Sequence, residues 1–146
     1  MTDPEAMSAW RAVILGHARV IRSMAVNMRT QHGLTLNEFE AMLFIDLNGD
    51  KPTLQNDLAQ GLTLSTGGIT RMIDRLESAG LVARNAHRTD RRSNTITLTA
   101  AGREKFERMN ASHEQDIQTY FGAHCTTDEL RILTRAMEKI RNQPDQ

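Results

Sequence analysis

The chain has 146 residues, 18 of them basic (Lys and Arg) and 18 acidic, giving a formal net charge of zero at pH 7. That length suits one domain with its own core, the neutral balance argues against diffuse attraction to polyanions, and a lone cysteine excludes an internal disulfide and fits a reducing, cytoplasmic setting. No apolar stretch approaches about 20 residues and MTDPEAMSAW has no basic start followed by an apolar run, so neither a membrane span nor a secretory signal is expected.

The first predicted element is a long helix from about Pro4 to Thr30. It carries Met7, Trp10, Ile14, His17, Ile21, Met24 and Met28 at alternating three- and four-residue steps, a heptad seam for packing against other helices. Thr35 and Glu38 then offer a capping box for a helix to about Leu47 with Phe39, Met42 and Leu43 facing the core, and NGDKP breaks it. A short helix over Gln55–Gly61 follows, whose Leu58 and Ala59, with Leu62 just beyond it, pack beneath the next one.

That next helix, about Thr66 to Ala79, places Ile69, Met72, Ile73 and Leu76 on one face and Arg71, Asp74, Arg75 and Ser78 elsewhere. Ser65 is its expected N-cap, and Gly80 followed by Leu81 reads as a left-handed glycine stop. Gly67 and Gly68 fall in its first turn, where they ease the entry into the helix or open its amides to a phosphate.

Leu81–Asn85 and Ser93–Thr99 read as two strands of a hairpin, Ile96 and Leu98 inward, Thr95 and Thr97 outward. Between them lies a tip bearing His87, Arg88, Asp90, Arg91 and Arg92, in which Asp90 can hold Arg91 or Arg92 by paired hydrogen bonds and aim it. A helix after Thr99 carries Phe106, Met109, His113, Ile117 and Tyr120 on one side. A last one, capped by Thr126 and Glu129, repeats the seam with Leu130, Leu133, Met137 and Ile140.

Charge is uneven along the chain. Residues 65–103 hold seven arginines against Asp74, Glu77 and Asp90, a net of +4 in a neutral molecule, and their basic residues are all Arg, which favours forked contacts to phosphate and guanine edges. An exposed helix beside a cationic ribbon tip suits double-stranded DNA, the helix in the major groove and the tip in the minor. The plain alternative is a solvated charged loop.

The run from Pro52 to Gly102 resembles the MarR family of winged helix-turn-helix regulators. The resemblance rests on TLQNDLAQGL, on LSTGGITRMIDRLESAGLV and on the wing RTDRRSNTITLTAAG, with Asp90, Arg92, Leu98, Thr99 and Gly102 its most specific residues. Two departures are Thr63, where the family often has glycine, and the Gly67–Gly68 pair, where side chains often contact DNA, which lowers the number of base contacts expected. The fold expected is mainly α with a small β-hairpin wing, in a single domain over 1–146. About 1–34 and 100–146 would form a helical dimerisation region and about 35–99 the DNA-binding lobe. Two seams at opposite chain ends, with the resemblance, imply a homodimer on a palindromic operator. Expected DNA contacts are Ser65, Thr66, Gly67, Gly68, Thr70, Arg71 and Arg75 on the helix, and Arg84, Arg88, Asp90, Arg91 and Arg92 on the wing.

His17 and His113 sit on otherwise apolar stripes and are candidates for a ligand pocket or a metal site, or are simply hydrogen-bonded core residues. No paired His or Cys stands at ligand spacing, so no metal or cofactor is expected. The resemblance implies instead a small aromatic or amphipathic effector touching Trp10, Arg11, His17 and His113, and a repressor that lets go of DNA when it binds. Cys125, with only His124 beside it, lacks the surroundings of a reactive thiol. No glycine-flanked serine, phosphate loop or carboxylate cluster suggests an enzyme. The rival readings are a winged-helix protein-interaction module, in which the arginines meet an acidic protein, and a metal-responsive regulator.

Overall fold

The structure is a computed structural model that describes residues 3–62, 66–86, 89 and 94–144. Six α-helices and one two-stranded antiparallel hairpin are seen among them. They form two compact units, residues 1–24 with 113–146 and residues 25–112. The division falls within the first and fifth helices, whereas the sequence suggested boundaries near residues 34 and 100.

Helix α1, Pro4–His32, starts with proline at its first turn, where the missing N–H costs nothing, and runs two residues further than expected. It stops at Gly33, whose φ of 72° and amide bonded to the Arg29 carbonyl make a left-handed cap. Its Met24 and Met28 are buried, but Met7, Trp10 and Ile14 of the same seam lie exposed in the single chain.

In residues 25–112, α2 (Leu36–Leu47) opens with the expected capping box: the Thr35 amide donates to Glu38 Oε2 at 2.8 Å and the Glu38 amide to Thr35 Oγ1 at 3.1 Å. Phe39 and Met42 are buried as expected. Leu43 is only partly covered, because Ala41 and Ile45 complete the inner stripe instead. Helix α3, Gln55–Gly61, lies so close to α2 that a Cβ on Gly61 would come within 2.6 Å of the Phe44 ring.

Helix α4, Thr66–Ser78, seals Ile69, Met72, Ile73 and Leu76 against the core, with Leu58 of α3 beneath. At about 1.5–3 kcal/mol for each large apolar side chain removed from water, that stripe fixes which face is left outward. Its end is a Schellman motif: the Leu81 amide donates to the Leu76 carbonyl and the Gly80 amide to that of Glu77, with Gly80 at φ 74°. Leu81 is consumed by this closure, so strand β1 begins one residue later than expected, at Val82, and runs to Ala86.

Strand β2, Asn94–Leu98, pairs with β1 in the register Val82 to Leu98, Arg84 to Ile96 and Ala86 to Asn94. Ile96 is buried and Thr97 exposed, as the alternation required. The segment before α3 adds to this ribbon: the Ile96 amide donates to the Thr53 carbonyl at 2.8 Å, and Leu54 bridges Thr95.

Thr99 joins the ribbon to α5 (Ala100–Tyr120). Its hydroxyl donates to the Gly80 carbonyl at 2.6 Å and accepts from the Gly102 amide at 2.9 Å, while its amide donates to the Leu81 carbonyl. Phe106 and Met109 complete the core, Phe106 stacked on Phe39 with ring centroids 5.8 Å apart. Arg103 pairs with Asp46, and the Lys105 ammonium donates to the His32 carbonyl, tying α5 to α2 and to the end of α1.

In the other unit, α6 (Thr127–Arg141) carries the expected box, the Thr126 amide donating to Glu129 Oε2 at 2.7 Å. That bond, with a second from the Thr126 hydroxyl, holds the Glu129 carboxyl below the usual glutamate range. Leu130 and Leu133 are half-buried, whereas Ile132, Met137 and Ile140 face water in the single chain.

Candidate nucleic-acid interface

The buried stripe of α4 turns Gly67, Arg71, Asp74 and Arg75 outward. Gly67 is exposed, and among the described residues a Cβ there would meet only the tip of Arg71, at 3.9 Å, so the packing described does not demand glycine at this position. Gly68 is partly covered. Arg71 is exposed and makes no ion pair among the described residues. Thr70 is half-buried, its hydroxyl accepting from Gln55 Nε2 at 2.8 Å, a bond from the start of α3 that fixes the rotamer of a candidate base contact.

Arg75 is more constrained than the sequence suggested. Its Nε donates to Glu38 Oε1 at 3.0 Å, with the Arg75 side chain 59% exposed and that of Glu38 6%. Burial alone would raise the Glu38 carboxyl, but the Thr35 amide, the Arg75 guanidinium and the Thr35 hydroxyl together hold it below the usual range. One carboxylate thus both caps α2 and braces α4. Arg75 and Glu38 also border an open groove of about 420 Å3 with Arg29, Gly33, Leu34 and Thr35.

Arg84, expected as a wing contact, lies against α4. Its Nη2 is 2.6 Å from Asp74 Oδ1 and its Nη1 3.0 Å from Glu77 Oε1. Burial would lower the guanidinium pKa, and the two carboxylates raise it above its ordinary value. The side chains of Thr66, Ser65, Arg88, Asp90, Arg91 and Arg92 lie outside the described residues.

Sequence reasoning overlooked the partners Glu38, Asp74, Glu77 and Gln55. For Arg84 a signal existed: in a strand beginning with buried Val82, residue 84 shares its face, and that face packs on α4. For Glu38 and Arg75, 37 residues apart, no local pattern pointed to contact.

In the unit that holds the suggested effector residues, Trp10, Arg11 and His17 are exposed in the single chain and His113 is partly covered. Cys125 is half-buried. Among the described residues, no three His, Cys, Asp or Glu side chains are grouped so as to hold a metal ion, and no helix is long and apolar enough to cross a membrane.

Residues 32–93 match the model of the MarR family. The chain is 30% identical over 112 residues to an uncharacterised HTH-type transcriptional regulator of Bacillus cereus, spanning 77% of this chain and 73% of that protein. Among solved structures it is similar to Sco3205, a MarR family transcriptional regulator of Streptomyces coelicolor determined in complex with DNA. The TM-score is 0.87 at 18% identity, with 99% of this chain and 92% of that one covered. It is also similar to a mutant of MarR from E. coli complexed with operator DNA, with a TM-score of 0.79 at 22% identity over 95% of this chain and 99% of that one.

Proposed function

Because the chain belongs to the MarR family of transcriptional regulators, we propose that it acts as a homodimeric repressor that holds a palindromic operator and is released from it by a small-molecule effector. The observation that carries this reading is α4: its apolar stripe is sealed inward while Gly67 and Arg71 stand open on the outer face, next to the root of an arginine-rich ribbon. Arg71 and Thr70 read base edges in the major groove, the Gly67 and Gly68 amides approach a phosphate, and the tip arginines Arg88, Arg91 and Arg92 enter the minor groove, Asp90 able to hold Arg91 or Arg92.

Dimerisation is supported by the large apolar side chains left in water on α1 and α6, Trp10 at 61%, Leu15 at 63%, Ile132 at 65% and Ile140 at 60% exposed. Burial of each contributes about 1.5–3 kcal/mol, enough in sum to offset an association cost of several kcal/mol. A second copy also supplies the second reading head that a palindrome requires.

The effector we assign is a small aromatic or amphipathic compound contacting Trp10, Arg11, His17 and His113. It favours a separation of the two reading heads other than the one DNA selects, and so weakens binding by its differential affinity.

The test is selection of duplex from a random pool by the purified protein, followed by sequencing. The expected result is an enriched inverted repeat with half-sites about 10 base pairs apart, or a multiple of that spacing. A pool that stays random overturns the reading. Trp10 is the only tryptophan, so its fluorescence reports both dilution-driven dissociation and titration with aromatic acids.

A further inference from the structure

We propose that Arg84 is a positioning residue that locks the root of the wing to the DNA-reading helix, setting the two at one fixed angle, and that it is not itself a phosphate contact. This rests on the DNA-binding reading above.

Thr70, Asp74 and Glu77 lie at steps of four and three residues, a single ridge along α4. The Arg84 guanidinium spans that ridge: Nη2 to Asp74 Oδ1 at 2.6 Å, Nη1 to Glu77 Oε1 at 3.0 Å, and Nη2 to the Thr70 carbonyl at 3.5 Å. The Glu77 carboxylate is held from the main chain as well, its Oε2 accepting from the Arg84 amide at 3.1 Å. That amide is available because Arg84 faces Ile96 across the ribbon, and the Ile96 amide is spent on Thr53, so this pair exchanges no hydrogen bond. From Thr70 the network continues through Gln55 into α3.

Charge and burial argue against a phosphate role. The guanidinium joins two carboxylates, so the cluster carries a net −1 and offers no attraction to DNA. The Arg84 side chain is 19% exposed, whereas Asp74 and Glu77 remain 56% and 42% exposed. The cation lies beneath its partners.

A double variant, Asp74→Ala with Glu77→Ala, separates the two roles. It makes the surface more positive by two charges and places a strong helix former at both positions. If Arg84 positions the wing, binding to the selected duplex weakens about tenfold, even though charge alone would strengthen it. The slope of log affinity against log salt stays that of the wild type. Tighter binding, or a slope steeper by about one unit, would mean that a freed Arg84 had taken a phosphate, and would overturn the proposal.

Arg84→Ala gives the second arm. It weakens binding by a similar factor at unchanged slope, and the triple variant is no worse than either alone, as expected of groups acting as one unit. Losses that multiply, or a slope shallower by about one unit, would also overturn it. Affinities are compared at a temperature where circular dichroism shows every variant fully folded, so that a purely structural role would leave them equal to wild type. A wild-type chain that binds no duplex overturns the DNA-binding reading and the positioning role with it, an outcome distinct from any of those above.

Discussion

Gly67→Ala and Gly102→Ala, the same chemical change in two helices, should move stability in opposite directions. In a helix, alanine is favoured over glycine by about 1 kcal/mol, partly through the unfolded chain's lost freedom. At Gly67, among the described residues, the new methyl group meets only the tip of Arg71 at 3.9 Å, so most of that gain should appear. At Gly102 the methyl group would overlap the Leu81 carbonyl oxygen and lie 2.8 Å from its carbonyl carbon and 3.1 Å from its Cα, all main-chain atoms. Since non-bonded carbon atoms pack at about 3.5–4.0 Å and the overlap with the Leu81 oxygen is the most severe, α5 and the end of the α4 turn must part by more than about 1 Å. Such a shift strains the bonds from the Thr99 amide to Leu81 and from the Thr99 hydroxyl to Gly80. Two strained hydrogen bonds at about 1 kcal/mol each, plus lost packing, outweigh the helix gain and leave a net loss of about 2–3 kcal/mol. Urea denaturation followed by circular dichroism, with both variants at equal protein concentration, measures the difference. A Gly102→Ala midpoint at or above the wild type would refute the close approach of Leu81 to α5.

Glu38→Gln should cost about 1–2 kcal/mol at neutral pH by weakening charge-assisted bonds at once to α2 and to Arg75. Because the folded carboxyl sits below its unfolded value, the wild-type contribution is present above the ordinary glutamate range and fades as pH falls through the folded value. The stability difference between wild type and variant should therefore shrink on acidification, and a constant difference down to about pH 3 would be the contrary result. Arg71→Ala should weaken duplex binding by about 1–3 kcal/mol and relax sequence preference, and Arg92→Ala should weaken it strongly; equal affinity in mobility-shift titrations of both variants contradicts the docking. Ile14→Glu or Ile140→Glu adds a charge to an exposed apolar face and should shift light scattering toward the 16.4 kDa chain without lowering monomer helicity.

Local features of the fold were readable without coordinates because their causes are local. The Thr35–Glu38 and Thr126–Glu129 boxes, the Gly80 stop and the stripe Ile69–Met72–Ile73–Leu76 each depend on residues within one or two turns. Leu81 was read both as part of the Gly80 stop and as the first strand residue; its amide closes the stop on the Leu76 carbonyl, and the strand starts at Val82. The charged site was read less completely. Asp74 and Glu77 entered the sequence reading as negative charges to be subtracted from a cationic patch, whereas in space they surround Arg84. Arg75 was read as an outward cation, although it also closes on Glu38 from another helix. Residue type announced that guanidinium groups would meet oxygen atoms. It did not say whether those oxygens belong to a nucleic acid or to the protein itself.

The ribbon's two flanks near its root are both occupied: β2 by the Thr53 and Leu54 main chain, and β1 by the Glu77 carboxylate on the Arg84 amide. Bare strand flanks act as templates on which foreign chains stack into filaments. With those two flanks shielded, the root of the hairpin is a poorer template for such stacking. A hairpin cut out as an isolated peptide loses both shields, and should precipitate where the intact chain stays dissolved.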